Sequence, residues 1–552
     1  MVQVGFKRTR LERLTAMATL LLVVAFLFIP LSLFAREPTW ESLEAKGAVI
    51  AGIEVKVTNV FDPSNPDERY WLARAANFVH VETRKAIVGR ELLFKAGDKV
   101  DARRIHETER NLRALEFVRD ASIVPVGVSN GTVWARVLVR DAWSLKGGLR
   151  FSHVGGQTAW RVRVHEVNLF GLGKQLAVSH DKNQERTTDM VAYSDPQLFG
   201  SRWTLSTNYQ SLSDGKARLF QLKRPYFAID TPWSMGVQVA SEESHLTLYN
   251  REHAVYAFPD KRDSIDLSWS RAYCVKERSA LRLGLELVVR QARYGPMVTY
   301  RTGYLREPDV RDRRLRGLAL RWSLDQDRYA AFEDLAAVSR TEDINLGWSL
   351  SVAAGLFSRA MGSAENAPFG EMTLQKGWMA GDDTLLLWSG KTQGRHHRDG
   401  WRDALVSQEL TLYNQSLSHQ TLAVSLSVDG ALRPDPENWL YLGGTEGMRG
   451  YGDHFRAGDR RWVLSMEDRV ITDWTWWGLV QVGFVAYADA GAIRRFDTGS
   501  WSKTYADVGA GLRFGNLKSA FGRVIQFTVA VPLVREPGMD TYQIVVGNVV
   551  RF

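Results

Sequence analysis

An arginine fixes a loop to carboxylates better than any other side chain, because its planar fork meets both carboxylate oxygens at once. Arg449 is set in such a position. It lies within Leu442 to Asp459, a run with Gly443, Gly444, Gly447, Gly450 and Gly452 beside Met448 and Tyr451, and neighbours with so little side chain leave it placed rather than solvated. Two downstream acids are candidates to receive it. Around residue 485, Val482, Phe484, Ala486 and Ala488 form one apolar face, which puts Gln481, Gly483, Tyr487 and Asp489 on the other. In the segment after the loop, Trp462, Leu464 and Met466 share the apolar face, so Ser465, Glu467 and Arg469 lie opposite. The chemistry predicted is an ion pair of Arg449 with Asp489 or Glu467, with no covalent bond made or broken.

Other chemically capable residues do not assemble into a site. Gly347 to Ser351 lacks the second glycine of a nucleophile elbow, and Gly171 to Lys174 is too short for a phosphate loop. His106 and Glu107 resemble the start of a zinc helix, but Arg110 stands where the second histidine belongs. His396 and His397 lie in a polar stretch and read as surface histidines. No catalytic constellation, metal site or cofactor site is expected, and the chain reads as a non-enzyme.

The elements around the loop read as membrane strands. The 552 residues exceed one ordinary soluble core, and a negative mean hydropathy excludes a bundle of membrane helices but not a barrel, whose strands are only half apolar. From Trp143 onward the apolar period is two. Leu422, Val424, Leu426 and Val428 alternate with Thr421, Ala423, Ser425 and Ser427, and Ile525, Phe527, Val529 and Val531 alternate with Gln526, Thr528 and Ala530. A soluble sandwich also alternates. Strands of about ten residues, and aromatic residues at strand ends such as Trp474, Trp476 and Trp477, favour a transmembrane antiparallel β-barrel spanning 143–552. Twenty strand-like pieces can be counted, some of which could be halves of longer strands.

Before the barrel come two further units. Lys7, Arg8, Arg10 and Arg13 precede the apolar run Met17 to Ile29, ended by Pro30, so residues 1–35 read as an export signal, with an uncleaved anchor as the alternative. These residues carry +3 of the net +9, and nothing in the charge pattern points to nucleic acid. One cysteine, Cys274, permits no internal disulfide. Residues 48–141 then read as a small α/β domain: a strand through Ile53, Val55 and Val57, a helical stretch, a helix N-capped by Asp101 and running to Asp120, and two strands around Asn130 and Gly131.

Several motifs carry a family resemblance. Met448, Arg449, Gly450 and Tyr451 resemble the sixth-loop signature of the BamA, TamA and two-partner-secretion superfamily of outer-membrane proteins (the bacterial surface antigen family). Tyr487 to Gly491 resembles its aromatic, any, Asp, any, Gly strand motif, Gly509 to Phe514 the next strand, and Glu467 with Arg469 the strand after the loop. Thr83, Ile87, Arg90, Glu91, Leu92, Gly97, Asp98 and Leu112 to Phe117 resemble a POTRA module. The resemblance implies a sixteen-stranded barrel in the bacterial outer membrane, a periplasmic POTRA-like domain, a loop tucked inside the barrel and Arg449 on Asp489. It also implies unfolded or secreted polypeptide clients received at that domain, accessory proteins in the periplasm or outer membrane, and Phe552 as a C-terminal recognition signal. The expected function is assisted insertion or translocation of polypeptides without nucleotide. A passive channel or lipid-handling barrel with a structural periplasmic domain is the alternative.

Overall fold

The computed structural model describes residues 38–548, apart from 63–64, 70, 155–156, 184, 303–306, 339 and 519–523. The export signal and Phe552 lie outside the described residues.

The chain first builds a three-stranded sheet with helices packed on it. Its elements are α1 (Trp40–Ala45), β1 (Val49–Thr58), α2 (Trp71–Val79), α3 (Lys85–Glu91), α4 (Ala102–Arg113), β2 (Val118–Ser129) and β3 (Thr132–Asp141). The sheet order is β1–β3–β2, with β1 parallel and β2 antiparallel to β3. Asp101 caps α4 by accepting from the Arg104 backbone N at 3.0 Å. The apolar stripe of α4 meets the sheet: Ile105 and Leu112 are fully buried with Ile50, Val118 and Val133. The helix stops at Arg113, seven residues before the expected Asp120, because Val118 is already the first residue of β2. Two features lie outside the sequence reading. α1 precedes the expected boundary and buries Trp40 and Leu43 in this core, and the stretch between β1 and α4 holds two helices.

His106 on α4, the first residue of the zinc-like pattern, is held between two carboxylates. Its Nε2 lies 2.9 Å from Glu41 on α1 and its Nδ1 3.2 Å from Glu109, so it bridges two helices. The hydrogen bond to Glu109, then that to Glu41, raises its pKa to about 9 against the opposing effect of burial. An unfolded histidine titrates at about 6.5. The folded value is the higher one, so this stabilisation is complete below about pH 6.5 and is lost as the pH rises through about 9. Amide protection in α1 and α4, corrected for intrinsic exchange, is therefore expected to fall across that window and to become flat in His106→Gln.

The remainder closes into an antiparallel barrel. Its sheet comprises 22 segments among the described residues, of which Val298–Thr299 and Leu440–Leu442 are short rim pieces; the other twenty form the wall. The twenty pieces read from the sequence each fall on one of these strands, whereas the sixteen implied by the resemblance is not the number found. No helix among the described residues is long and apolar enough to cross a membrane. The wall alternates as lipid on one side and a packed lumen on the other require: Leu464, Met466, Phe484, Phe527 and Val529 are exposed, while Ser465, Glu467, Arg469, Tyr487, Asp489, Gln526 and Thr528 are buried. Val482 departs from that parity and is buried at the strand end. The last strand, Gln543–Asn548, closes onto the first, Leu145–Val154, through Ile544 with His153, Val545 with Ser152 and Val546 with Phe151.

One connection at the mouth facing the α/β unit folds inward. Between strands Arg313–Gln326 and Ser349–Phe357, residues Tyr329–Glu333 and Thr341–Asn345 pair as a separate two-stranded hairpin. Its tip residue Leu335 packs with Leu385, Tyr413 and Ala423 of the wall. Arg113 of α4 holds the hairpin's Asp343 by two hydrogen bonds, 2.8 and 2.9 Å, and Arg110 holds Asp327 at 3.0 Å. The same hairpin thus touches both the α/β unit and the lumen.

Candidate functional site: a loop latched in the barrel lumen

The connection from Gln420–Leu432 to Arg456–Trp476 leaves the opposite mouth and folds back inside. Met448 and Tyr451 are buried in a cluster with Leu442, Phe455, Val463, Ile493 and Tyr505. Glycine is required at two points. Gly447 has φ +110°, in the left-handed region that other residues avoid. A Cβ on Gly450 would stand 2.5 Å from the Cβ of Asp507 and 3.2 Å from the backbone N of Pro532, so the loop approaches the wall as closely as a bare backbone allows.

Arg449 is held there from every side. Its Nε donates to Asp489 Oδ2 at 2.7 Å and its Nη2 to Asp489 Oδ1 at 2.8 Å, the two-point pairing that a guanidinium makes with a carboxylate. Nη1 donates to Glu467 Oε2 at 2.5 Å and Nη2 to Ser465 Oγ at 3.0 Å. The guanidinium Cζ lies 3.4 Å from the ring centre of Tyr487, whose hydroxyl reaches Thr528 at 3.1 Å. Glu467 also accepts from Arg469 at 2.7 Å, and Arg469 donates in turn to the carbonyl of Leu335 on the inward hairpin. The ion pair therefore belongs to a chain of contacts that runs from Asp489 through Arg449, Glu467 and Arg469 to the hairpin, and from its Asp343 to Arg113 of the α/β unit.

Tyr451 fixes the loop a second time. Its hydroxyl, bonded to the carbonyls of Ala506 at 2.9 Å and Val534 at 3.0 Å, ties the loop to two neighbouring parts of the wall, and its ring packs at 5.0 Å from Phe455 and 5.5 Å from Tyr505. Tyr451→Phe keeps the ring and loses these bonds. It is expected to lower stability by about 1–2 kcal/mol, read as a smaller urea midpoint of the detergent-folded barrel.

Arg449, Gly450, Tyr451, Glu467 and Asp489 are thus brought together in one cluster, whereas Phe552 lies outside the described residues. Sequence reasoning offered two alternative carboxylates, and the structure uses both. The stacking of Tyr487 under the guanidinium could have been inferred from its place two residues before Asp489 on the same face. The inward hairpin and its link to Arg113 carry no local signal, since Asp327 and Asp343 look like any other loop acids. The arrangement holds a loop in one position and connects that position to the neighbouring domain.

No protein-family model and no curated protein matches the chain. Among solved structures it is similar to BamA from Haemophilus ducreyi lacking POTRA domains 1–3, at 14% identity and a TM-score of 0.39 over 90% of this chain and 84% of that one. It is also similar to CdiB from Acinetobacter baumannii, at 12% identity and 0.43 over 91% and 74%, and to CdiB from Escherichia coli, at 14% and 0.45 over 90% and 76%. These are likenesses of overall fold.

Proposed function

We propose that this chain is an outer-membrane barrel that assists insertion or translocation of polypeptides, with its α/β unit in the periplasm as the receiving domain. The observation that carries the reading is the latched loop, joined through Arg469, the inward hairpin and Arg113 to that unit. A passive pore needs no such connection between its lumen and an appended domain, whereas a device that answers a client arriving at the domain does. The client is received as an added strand, because an open sheet edge is already a template of N–H and C=O groups. The outer edge of β2 is partly occupied: the Trp40 indole donates to the Ile123 carbonyl at 2.7 Å, Glu109 accepts from the Ile123 N at 2.6 Å and Arg113 donates to the Ala121 carbonyl at 3.1 Å. The receiving edge is therefore β1, along Ile53 to Thr58. Energy comes from client folding and no bond is cleaved.

Depleting the protein and quantifying the outer-membrane and secreted proteomes tests the reading. Selective loss of particular barrels or secreted proteins is the expected result. An unchanged proteome with altered solute or lipid permeability would instead support a passive channel or lipid-handling barrel.

A further inference from the structure

Helix α2 carries an apolar surface that neither the barrel nor its own domain covers. Trp71 is 68% exposed, Phe78 91% and Val79 68%, and Val81 in the following linker is 52% exposed. The other face is packed, with Ala73 and Ala76 joining Val60 and Phe61 against Trp143 and Leu479 at the barrel rim. The linker is pinned to the end of β3 and to the same rim. His80 Nε2 lies 3.1 Å from Asp141, Asn168 donates to the Thr83 hydroxyl at 2.8 Å, and the Arg84 backbone N donates to the Gly171 carbonyl at 3.0 Å. The helix is therefore held beside the barrel edge.

That edge has the same character. Phe170 and Phe199 on neighbouring turns and Trp477, two residues before Leu479, are exposed, and Val81 lies against Gly171, the residue after Phe170. Arg74, Arg84, Lys85 and Arg90 are exposed among these aromatic and aliphatic groups. Isolated exposed apolar residues are ordinary, but a contiguous set of large ones marks an interaction surface. Aromatic and aliphatic tips interleaved with cations, on a helix beside a lipid belt, are the composition of a segment that lies in a membrane interface. The cations match the charge of anionic headgroups.

We propose that α2 and its linker dock into the periplasmic leaflet of the bilayer next to the closing strands, with phospholipid as the occupant. Trp71, Phe78, Val79 and Val81 enter the boundary between headgroups and acyl chains, and Arg74, Arg84 and Lys85 meet anionic headgroups. Trp143, packed on α2, leads within two residues into the first barrel strand, so the docked helix lies beside the seam where first and last strands meet. Lipid is favoured over a soluble partner because the surface adjoins the rim of a barrel whose outer wall is apolar and carries cations suited to anionic headgroups. A periplasmic protein seated there would have to displace the leaflet.

The test uses the full chain with Cys274→Ser, nitroxide-labelled at Phe78→Cys and reconstituted in phosphatidylethanolamine–phosphatidylglycerol vesicles without any other protein. The label is expected to collide more with oxygen than with a water-soluble nickel chelate, at a depth of about 5–10 Å. A control label at Lys46→Cys, at the exposed end of α1, shows the reverse. Adding Val79→Asp to the Phe78→Cys chain should move its label toward the chelate. If Phe78→Cys fails to fold, Ala75→Cys on the same helix reports the same depth. A label meeting the chelate as freely as the control overturns the proposal, and so does one shielded from both reagents, which would place protein rather than lipid on this surface.

Discussion

Arg449→Ala is expected to destabilise the folded barrel by about 3–5 kcal/mol, the cost of removing one partner from a buried charge pair. The deletion leaves Asp489, 1% exposed, and Glu467, 6% exposed, without the cation that bridges them. Asp507, also buried, faces Asp489 directly across the adjacent strand pair, so the loss leaves two buried carboxyl groups opposed with the guanidinium beside them gone. Glu467 keeps Arg469, whereas Asp489 keeps no cation and accepts from the Ser465 hydroxyl at 2.6 Å. Arg449→Lys should recover little, because an ammonium supplies neither the two-point contact to Asp489 nor the planar stack on Tyr487. The measurement is the urea midpoint of the detergent-folded protein, together with the fraction that folds.

Gly450→Ala is expected to release the loop although the Arg449 side chain is retained. Its added methyl carbon would lie 2.5 Å from Asp507 Cβ, an atom fixed to the backbone of the wall and unable to rotate away. Overpacking of this kind costs about 1–3 kcal/mol, and the nearest relief is for the loop to lift toward the lumen. Lifting exposes Arg449, otherwise buried, and Arg456, 2% exposed and paired with Glu536. Trypsin should then cut the folded variant at Arg449 or Arg456 while the parent protein resists. Equal resistance would mean that the wall yields and the loop stays seated.

The barrel and its latch were legible for one physical reason. A strand's side chains alternate with period two, so a few apolar residues fix which side every other residue faces, and Glu467, Asp489 and Arg469 could be placed in the lumen without knowing their neighbours. The same rule located all twenty wall strands. It could not show which strands a loop would cross, and for that reason both Asp489 and Glu467 stood as partners until the fold placed Arg449 between them. Val482 escaped the rule because at a strand end the alternation no longer decides burial. α1 escaped notice because six residues are too few to display a helical period. The inward hairpin was hidden for a different reason. Its short strands pair with each other, and its ties to Arg110, Arg113 and Arg469 join residues more than a hundred positions apart.

Arg449 and Asp489 form one contact that holds the loop inside the barrel. A double-mutant cycle tests it most directly, with Arg449→Ala, Asp489→Asn and the pair of changes compared by unfolding free energy in one detergent. Residues joined in one network give effects that do not add. Asp489→Asn added to Arg449→Ala is expected to cost far less than Asp489→Asn alone. Two costs that simply sum would contradict it, because the arginine and the aspartate would then be stabilising the barrel independently.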